Sequence, residues 1–172
     1  MNIFLIGFMG AGKSTIARTL QSKLDMPLIE MDERIVEEQG CSINEIFDRK
    51  GEAGFRDIES DLVKRIANER DSIVSCGGGA VIRPENVEYM KKSGKIVFLT
   101  ATPETIYERV KNGKDRPLLN GNMNVEYISS LMDKRRDIYN AASDEKIATD
   151  NKSKDEIAQE IIEKCFQKED SQ

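Results

Sequence analysis

Apolar positions along the chain fall into two alternating patterns. Short, partly β-branched runs have the length of buried strands: Ile3–Ile6, Pro27–Glu30, Ser72–Ser75, Ile96–Thr100 and Lys146–Ala148. Between them apolar residues recur at helical spacing over 14–24, 33–39, 42–50, 54–69, 83–92, 103–110, 125–141 and 153–166. Ser42-Ile43-Asn44-Glu45 fits a capping box, and Thr102-Pro103 fits a cap followed by a first helical turn. Strands separated by helices predict an α/β fold, a five-stranded parallel sheet flanked by helices on both faces. Ligands of such sheets sit beyond the carboxyl ends of the strands, so chemistry is sought just after each strand.

One stretch departs from both patterns. Lys111 to Asn124 is polar, holds Gly113 and Gly121, and carries Arg116-Pro117 between two good helices. A loop of that length in a compact domain is usually functional or disordered. We read it as a mobile lid, with a passive surface loop as the plainer alternative. Gln167 to Gln172 is expected to fray. Residues 1–172 suit a single domain, and a monomer is expected. A net charge of −5, with 33% charged residues of both signs, argues against nucleic-acid binding. No apolar run approaches the ~18 residues of a membrane span, and the chain opens on a core strand without a signal peptide. Cys41, Cys76 and Cys165 are isolated, which suits reduced structural thiols in a cytoplasmic protein. The sequence contains no histidine, so a general base must be a carboxylate, a lysine or a held water.

Gly7 to Thr15 reads G-F-M-G-A-G-K-S-T, a phosphate-binding loop between a strand and a helix. Its glycines let backbone N–H groups approach phosphate oxygens, and the helix start adds positive potential. Lys13 supplies a cation for the outer phosphates, and Ser14 a hydroxyl for Mg²⁺. After the second strand, Glu30 and Asp32 would share a side if the strand continued. A carboxylate there can hold a Mg²⁺-bound water or take a proton, although Asp32 would equally serve as a helix cap. Arg56 and Glu59 stand three apart on a helix. They can form a solvated pair, or Arg56 can grip a substrate carboxylate. Gly77-Gly78-Gly79 suggests close approach of backbone to a ligand, against a plain flexible turn. Ser75 occupies the place where a metal-binding carboxylate would more usually end this strand. Arg116 could close over phosphates from the lid, while Lys134 and Arg136 suit a solvated face.

Taken in order, G-F-M-G-A-G-K-S-T, Asp32, F-R-D-I-E, G-G-G, R-P-L-L and K-R-x-x-x-Y resemble shikimate kinase, from the first strand to about Tyr139. The resemblance implies a P-loop kinase fold and Mg²⁺-dependent transfer of the ATP γ-phosphate to the 3-hydroxyl of shikimate. That reaction serves chorismate and aromatic amino acid biosynthesis. It implies ATP as co-substrate, one Mg²⁺ per subunit, and shikimate as the partner, bound around residues 32–60. By the same resemblance Gly10, Ala11, Gly12, Lys13, Ser14 and Thr15 hold the ATP phosphates, and Ser14 ligates the metal. Lys13, Asp32 and Arg116 are the implied catalytic residues, with Asp32 the base and Arg116 closing on ATP. Asp32, Arg56, Gly78 and Arg135 would hold shikimate, the two arginines on its carboxylate. An adenine-side loop would lie near 149–153. Glu30 departs from the aspartate common at its position.

Other readings remain open at this point. Gluconate kinase would also use arginines on an acid. A GTPase switch is poorly served, since Asp48-Arg49-Lys50-Gly51 ends a helical pattern and Asn112-Gly113-Lys114-Asp115 lacks the N-K-x-D order. A regulatory protein without catalysis would not need Lys13, Ser14, Asp32 and Arg116 together. Two guanidinium groups in one cleft, those of Arg56 and Arg135, are expected to repel until an anion relieves them.

Overall fold

The strands predicted from the apolar runs pair edge to edge in the computed structural model, which describes residues 1–69, 71–111 and 124–167. The elements are β1 (Asn2–Ile6), α1 (Lys13–Leu24), β2 (Leu28–Glu30), α2 (Met31–Gln39), α3 (Ile43–Ala67) and β3 (Ile73–Ser75). There follow α4 (Pro84–Ser93), β4 (Gly94–Thr100), α5 (Pro103–Val110), α6 (Val125–Ala142), β5 (Glu145–Ala148) and α7 (Lys154–Phe166). The sheet has five strands in the order β2-β3-β1-β4-β5, and every neighbouring pair is parallel.

Both faces of the sheet are covered, which is why β1 is buried at every position. Ile3 and Leu5 point to one side, where they meet Ala17, Leu20, Ile106 and Ile161. Phe4 and Ile6 point to the other, against residues of α2, α3 and α4 such as Ile35, Leu62 and Met90. Each fully buried side chain of this size contributes about 1.5–3 kcal/mol, so the two layers fix the strand register and with it the strand ends. Among the described residues no helix is long and apolar enough to cross a membrane.

The expected helices 42–50 and 54–69 are two arms of α3. Gly51, at φ 69 and ψ −179, breaks the helical path between them. Phe47 and Phe55 stack across the kink with ring centroids 4.8 Å apart. That contact aims the second arm, which carries Arg56 and Glu59, toward the carboxyl edge of the sheet. The expected caps form: Ser42 Oγ accepts from Glu45 N–H at 3.1 Å and Thr102 Oγ1 from Thr105 N–H at 3.2 Å.

Candidate active site

The sheet register brings three strand ends together. Leu5 on β1 and Glu30 on β2 both pair with Ser75 on β3. The phosphate loop, the acidic pair and the glycine triplet therefore open onto one edge. In the phosphate loop Gly12 has φ 93 and caps α1, a backbone state that a side chain would strain. Lys13 Nζ donates to the Gly7 carbonyl at 2.7 Å and the Phe8 carbonyl at 3.3 Å. The ammonium thus lies across its own loop, where phosphate oxygens would compete for it. Ala11 is buried in the loop and Thr15 stands exposed on the first turn of α1.

Ser14 Oγ donates to Glu30 Oε2 at 3.1 Å. The other oxygen, Glu30 Oε1, is buried and has no hydrogen-bond partner among the described residues. The carboxylate missing from β3 is thus supplied one strand over, since Glu30 and Ser75 are register partners. An orphaned anionic oxygen beside a serine hydroxyl fits a hard cation that prefers oxygen ligands. Among the described residues no group of three or more acidic or cysteine side chains forms a closed metal cage. That is consistent with a cation carried largely by phosphates and water.

Asp32 differs from both sequence expectations. The strand stops at Glu30 and α2 begins at Met31, so Asp32 sits in the first helical turn. It neither alternates with Glu30 along a strand nor caps the helix, whose N-cap is Glu30. Buried Met31 and Ile35 pull the helix start inward and carry Asp32 toward the cleft. Burial raises the Asp32 pKa, and the charges of Lys13 and Arg56 oppose that rise.

Arg56 and Glu59 do pair, at 2.9 Å between Nη1 and Oε1, but the pair is not solvated as expected of surface helix partners. Side-chain exposure is 12% for Arg56 and 1% for Glu59. The second arm of α3 packs on the sheet edge, and burial pushes the Glu59 pKa up while Arg56 pulls it back. The glycine triplet explains the close packing. A Cβ on Gly77 would lie 2.8 Å from Asp32 Oδ1 and 3.3 Å from Glu59 Oε2. On Gly78 it would lie 2.8 Å from Arg135 Nη1, and on Gly79 it would collide with the Arg56 guanidinium. At all three a side chain would push aside the charged ends of Asp32, Arg135 or Arg56. Tyr139 completes the wall, donating its hydroxyl to the Gly78 carbonyl at 2.7 Å.

Asp32, Arg56 and Arg135 therefore meet at one glycine loop beside Lys13 and Ser14, the convergence that the motif order implies. A family model described as shikimate kinase matches residues 9–166. The chain belongs to the shikimate kinase family. A shikimate kinase from Sulfurihydrogenibium sp. (strain YO3AOP1) is 39% identical over 163 residues, covering 95% of this chain and 96% of the relative. The structure of a shikimate kinase from Acinetobacter baumannii in complex with shikimate superposes with a TM-score of 0.88 at 30% identity, over 97% of this chain and 93% of that one. That from Aquifex aeolicus gives 0.79 at 37% identity, over 94% of each chain.

Within this shikimate kinase fold the expected repulsion between Arg56 and Arg135 is already countered. Glu59 feels Arg56, Asp32 and Arg135 together, so the two guanidinium groups share carboxylate neighbours before any substrate anion arrives. Glu59 is the functional candidate that sequence reasoning undervalued; its spacing to Arg56 was the available signal. Arg109 was missed altogether. From the last turn of α5 it donates to the Gly10 carbonyl at 3.0 Å and to Thr149 Oγ1 at 3.2 Å. It thereby ties the phosphate loop to the start of the segment expected on the adenine side. Lys134 and Arg136 are exposed as expected, and Arg136 pairs with Asp133. Arg116, Arg116-Pro117-Leu118-Leu119 and nearly all of the lid lie outside the described residues. An open hollow of about 700 Å³ lies elsewhere, between α5 and α6, bordered by Pro103, Glu104, Glu126 and Asp133. Among the described residues it holds none of the candidate side chains.

Proposed function

We infer that this member of the shikimate kinase family transfers the γ-phosphoryl group of ATP to the 3-hydroxyl of shikimate. The observation that carries the reading is the placement of Asp32, Arg56 and Arg135 around Gly77–Gly79, next to the phosphate loop. In the reading, Gly10 to Thr15 cradle the phosphates and Lys13 follows the charge of the transferring group. Arg56, braced by Glu59, and Arg135 hold the carboxylate of shikimate through charge-assisted bonds. The carbonyl of Gly78 is occupied by Tyr139, which leaves the N–H of Gly78 as the group assigned to the ring hydroxyls.

The reaction breaks the bond between the γ-phosphorus and the bridging oxygen of ADP. It forms one between that phosphorus and the shikimate oxygen. The hydroxyl proton goes to Asp32, whose raised pKa moves it in the direction a base needs. Mg²⁺, when bound with ATP, neutralises charge on the β- and γ-phosphates. Ser14 and Glu30 are assigned to its side of the site because of the orphaned Glu30 Oε1 beside the Ser14 hydroxyl. Arg116 keeps the role of a lid arginine that closes on ATP, on the strength of the motif alone.

A coupled assay of ATP consumption with shikimate, with gluconate and without acceptor tests the reading. Shikimate should be required, and turnover should vanish without Mg²⁺. Faster turnover on gluconate, or none on either acid, would refute it.

A further inference from the structure

The loop after β3 is held by its carbonyls. Ala80 N–H donates to the Gly77 carbonyl and Ile82 N–H to that of Gly79, each at 3.1 Å. Tyr139 takes the Gly78 carbonyl at 2.7 Å, and Asn86 Nδ2 takes that of Ala80 at 3.0 Å. With four successive carbonyls engaged inside the fold, the loop is left to offer N–H groups, and these bonds set their aim.

Asn86 stands apart from the other three contacts. It reaches in from α4, whose buried face otherwise serves the core. It is 1% exposed, and its Oδ1 has no partner among the described residues. The amide cannot be turned round to mend this, because the Ala80 carbonyl only accepts and must face the NH₂ group. A buried unpaired carbonyl is costly, and a leucine of similar size would remove it only by taking the donor away from the Ala80 carbonyl of the loop. A polar side chain at such a core position answers a demand of the loop rather than of the core.

We propose that Asn86 is a positioning residue for shikimate. Its bond to Ala80 holds the Gly77–Gly79 turn against the two guanidinium groups that receive the carboxylate. Gly79 packs directly on Arg56, and Gly78 lies where a Cβ would be 2.8 Å from Arg135 Nη1, so a shift of the loop displaces both arginines. Arg83, just ahead of α4, adds an outer attachment, with Nη1 2.8 Å from Asp57 Oδ1 and 3.3 Å from Ser60 Oγ. Asp57 and Ser60 each follow a residue of the buried Arg56–Glu59 pair. The first turn of α4 thus ties the glycine loop and the carboxylate-binding arm of α3 into one unit. Among the described residues Asn86 makes no hydrogen bond to the phosphate loop, so its effect should fall on shikimate and spare ATP.

The inference rests on the shikimate reading above, and the test separates the two. Asn86→Leu and Asn86→Asp are made in the full chain and compared with the unmodified protein for KM of each substrate, kcat and thermal midpoint. Asn86→Leu should raise the shikimate KM about tenfold and hold the ATP KM within about twofold in a folded protein, with only a small change in midpoint, because losing the orphaned Oδ1 offsets the loss of the Ala80 carbonyl's donor. Asn86→Asp, which turns an acceptor toward the Ala80 carbonyl, should raise the shikimate KM further. Unchanged shikimate KM in both folded variants, or an equal rise for both substrates, would overturn the proposal. So would failure of both variants to fold, which would make Asn86 architectural. If the unmodified protein ignores shikimate, both readings fall; if it phosphorylates shikimate and the variants match it, this one falls alone.

Discussion

Replacing Arg56 by methionine removes a guanidinium that serves two partners, and the two losses can be separated. The first is Glu59. At 1% exposure it has no access to water, and its 2.9 Å contact with Arg56 Nη1 is the favourable interaction that offsets its burial. Removing one partner of a buried pair costs about 3–5 kcal/mol. For a chain of 172 residues that is about 6–20 °C in Tm, since each kcal/mol moves a domain of this size by roughly 2–4 °C. Proton uptake by Glu59 limits the loss and so favours the lower end. It also fixes the pH dependence. Burial already raises the folded pKa of Glu59 above the ordinary 4.5, so its contribution is complete at low pH and is lost as pH rises through the folded value. Without Arg56 the folded value rises further, and the deficit of Arg56→Met should grow from pH 4 to pH 8. The second loss is the shikimate carboxylate. One charge-assisted contact at about 1.5–3 kcal/mol predicts a KM for shikimate raised about 10- to 150-fold, with the ATP KM little changed. The double variant Arg56→Met, Glu59→Met then divides the effects. An apolar pair in place of a buried ion pair is often neutral for stability, so Tm should recover while the KM defect stays. Thermal denaturation across pH and steady-state kinetics on the three proteins decide it. A double variant that regains normal shikimate KM would show that Arg56 does not hold the substrate.

The central strands β1, β3 and β4 were legible because they are short apolar runs largely buried on both faces, whereas the edge strand β5 is buried only at Ile147. Helix boundaries were less so where packing moved them. The start of α2 lies two residues earlier than its polar sequence suggests, because Met31 and Ile35 find buried positions, and that shift decides where Asp32 points. The phosphate loop and glycine triplet were legible as motifs, since glycine there answers a local demand of backbone angle or space. Glu59 was not. Its letters describe an ordinary helix pair, and only the packing of α3 on the sheet edge turns that pair into a buried support. Asn86 acts through a bond to the Ala80 carbonyl six residues back, and Arg109 through bonds to the distant carbonyls of Gly10 and Thr149, and a carbonyl leaves no mark in a sequence.

Lys13→Ala should lower turnover at least ~10²-fold, or about 2.7 kcal/mol of transition-state stabilisation, in a protein that still folds; near-normal turnover would refute the role. Asp32→Asn should cut kcat sharply. In the unmodified protein kcat should fall on the acid side as the Asp32 carboxylate takes up a proton, with the limb displaced upward from the ordinary aspartate value of 3.8; near-normal kcat in a folded Asp32→Asn protein removes Asp32 as the base. Arg116→Ala should lower kcat while shikimate still binds, as read from equilibrium titration; unchanged kcat would remove the lid arginine from catalysis. Glu30→Gln asks what the orphaned oxygen is for. If Glu30 only orients Ser14, the glutamine carbonyl can still accept that hydroxyl, and the requirement for Mg²⁺ will not change. If the buried, unpartnered Oε1 serves the metal's hydration shell, the neutral amide offers one donor where a cation needs an acceptor. The half-saturating Mg²⁺ concentration should then rise about tenfold, with the shikimate KM unmoved. Glu30→Asp separates charge from shape, since it restores the anion on a shorter arm. Recovery of Mg²⁺ dependence in Glu30→Asp but not in Glu30→Gln would assign the oxygen to the metal side, whereas equal behaviour of both variants would confine Glu30 to holding Ser14.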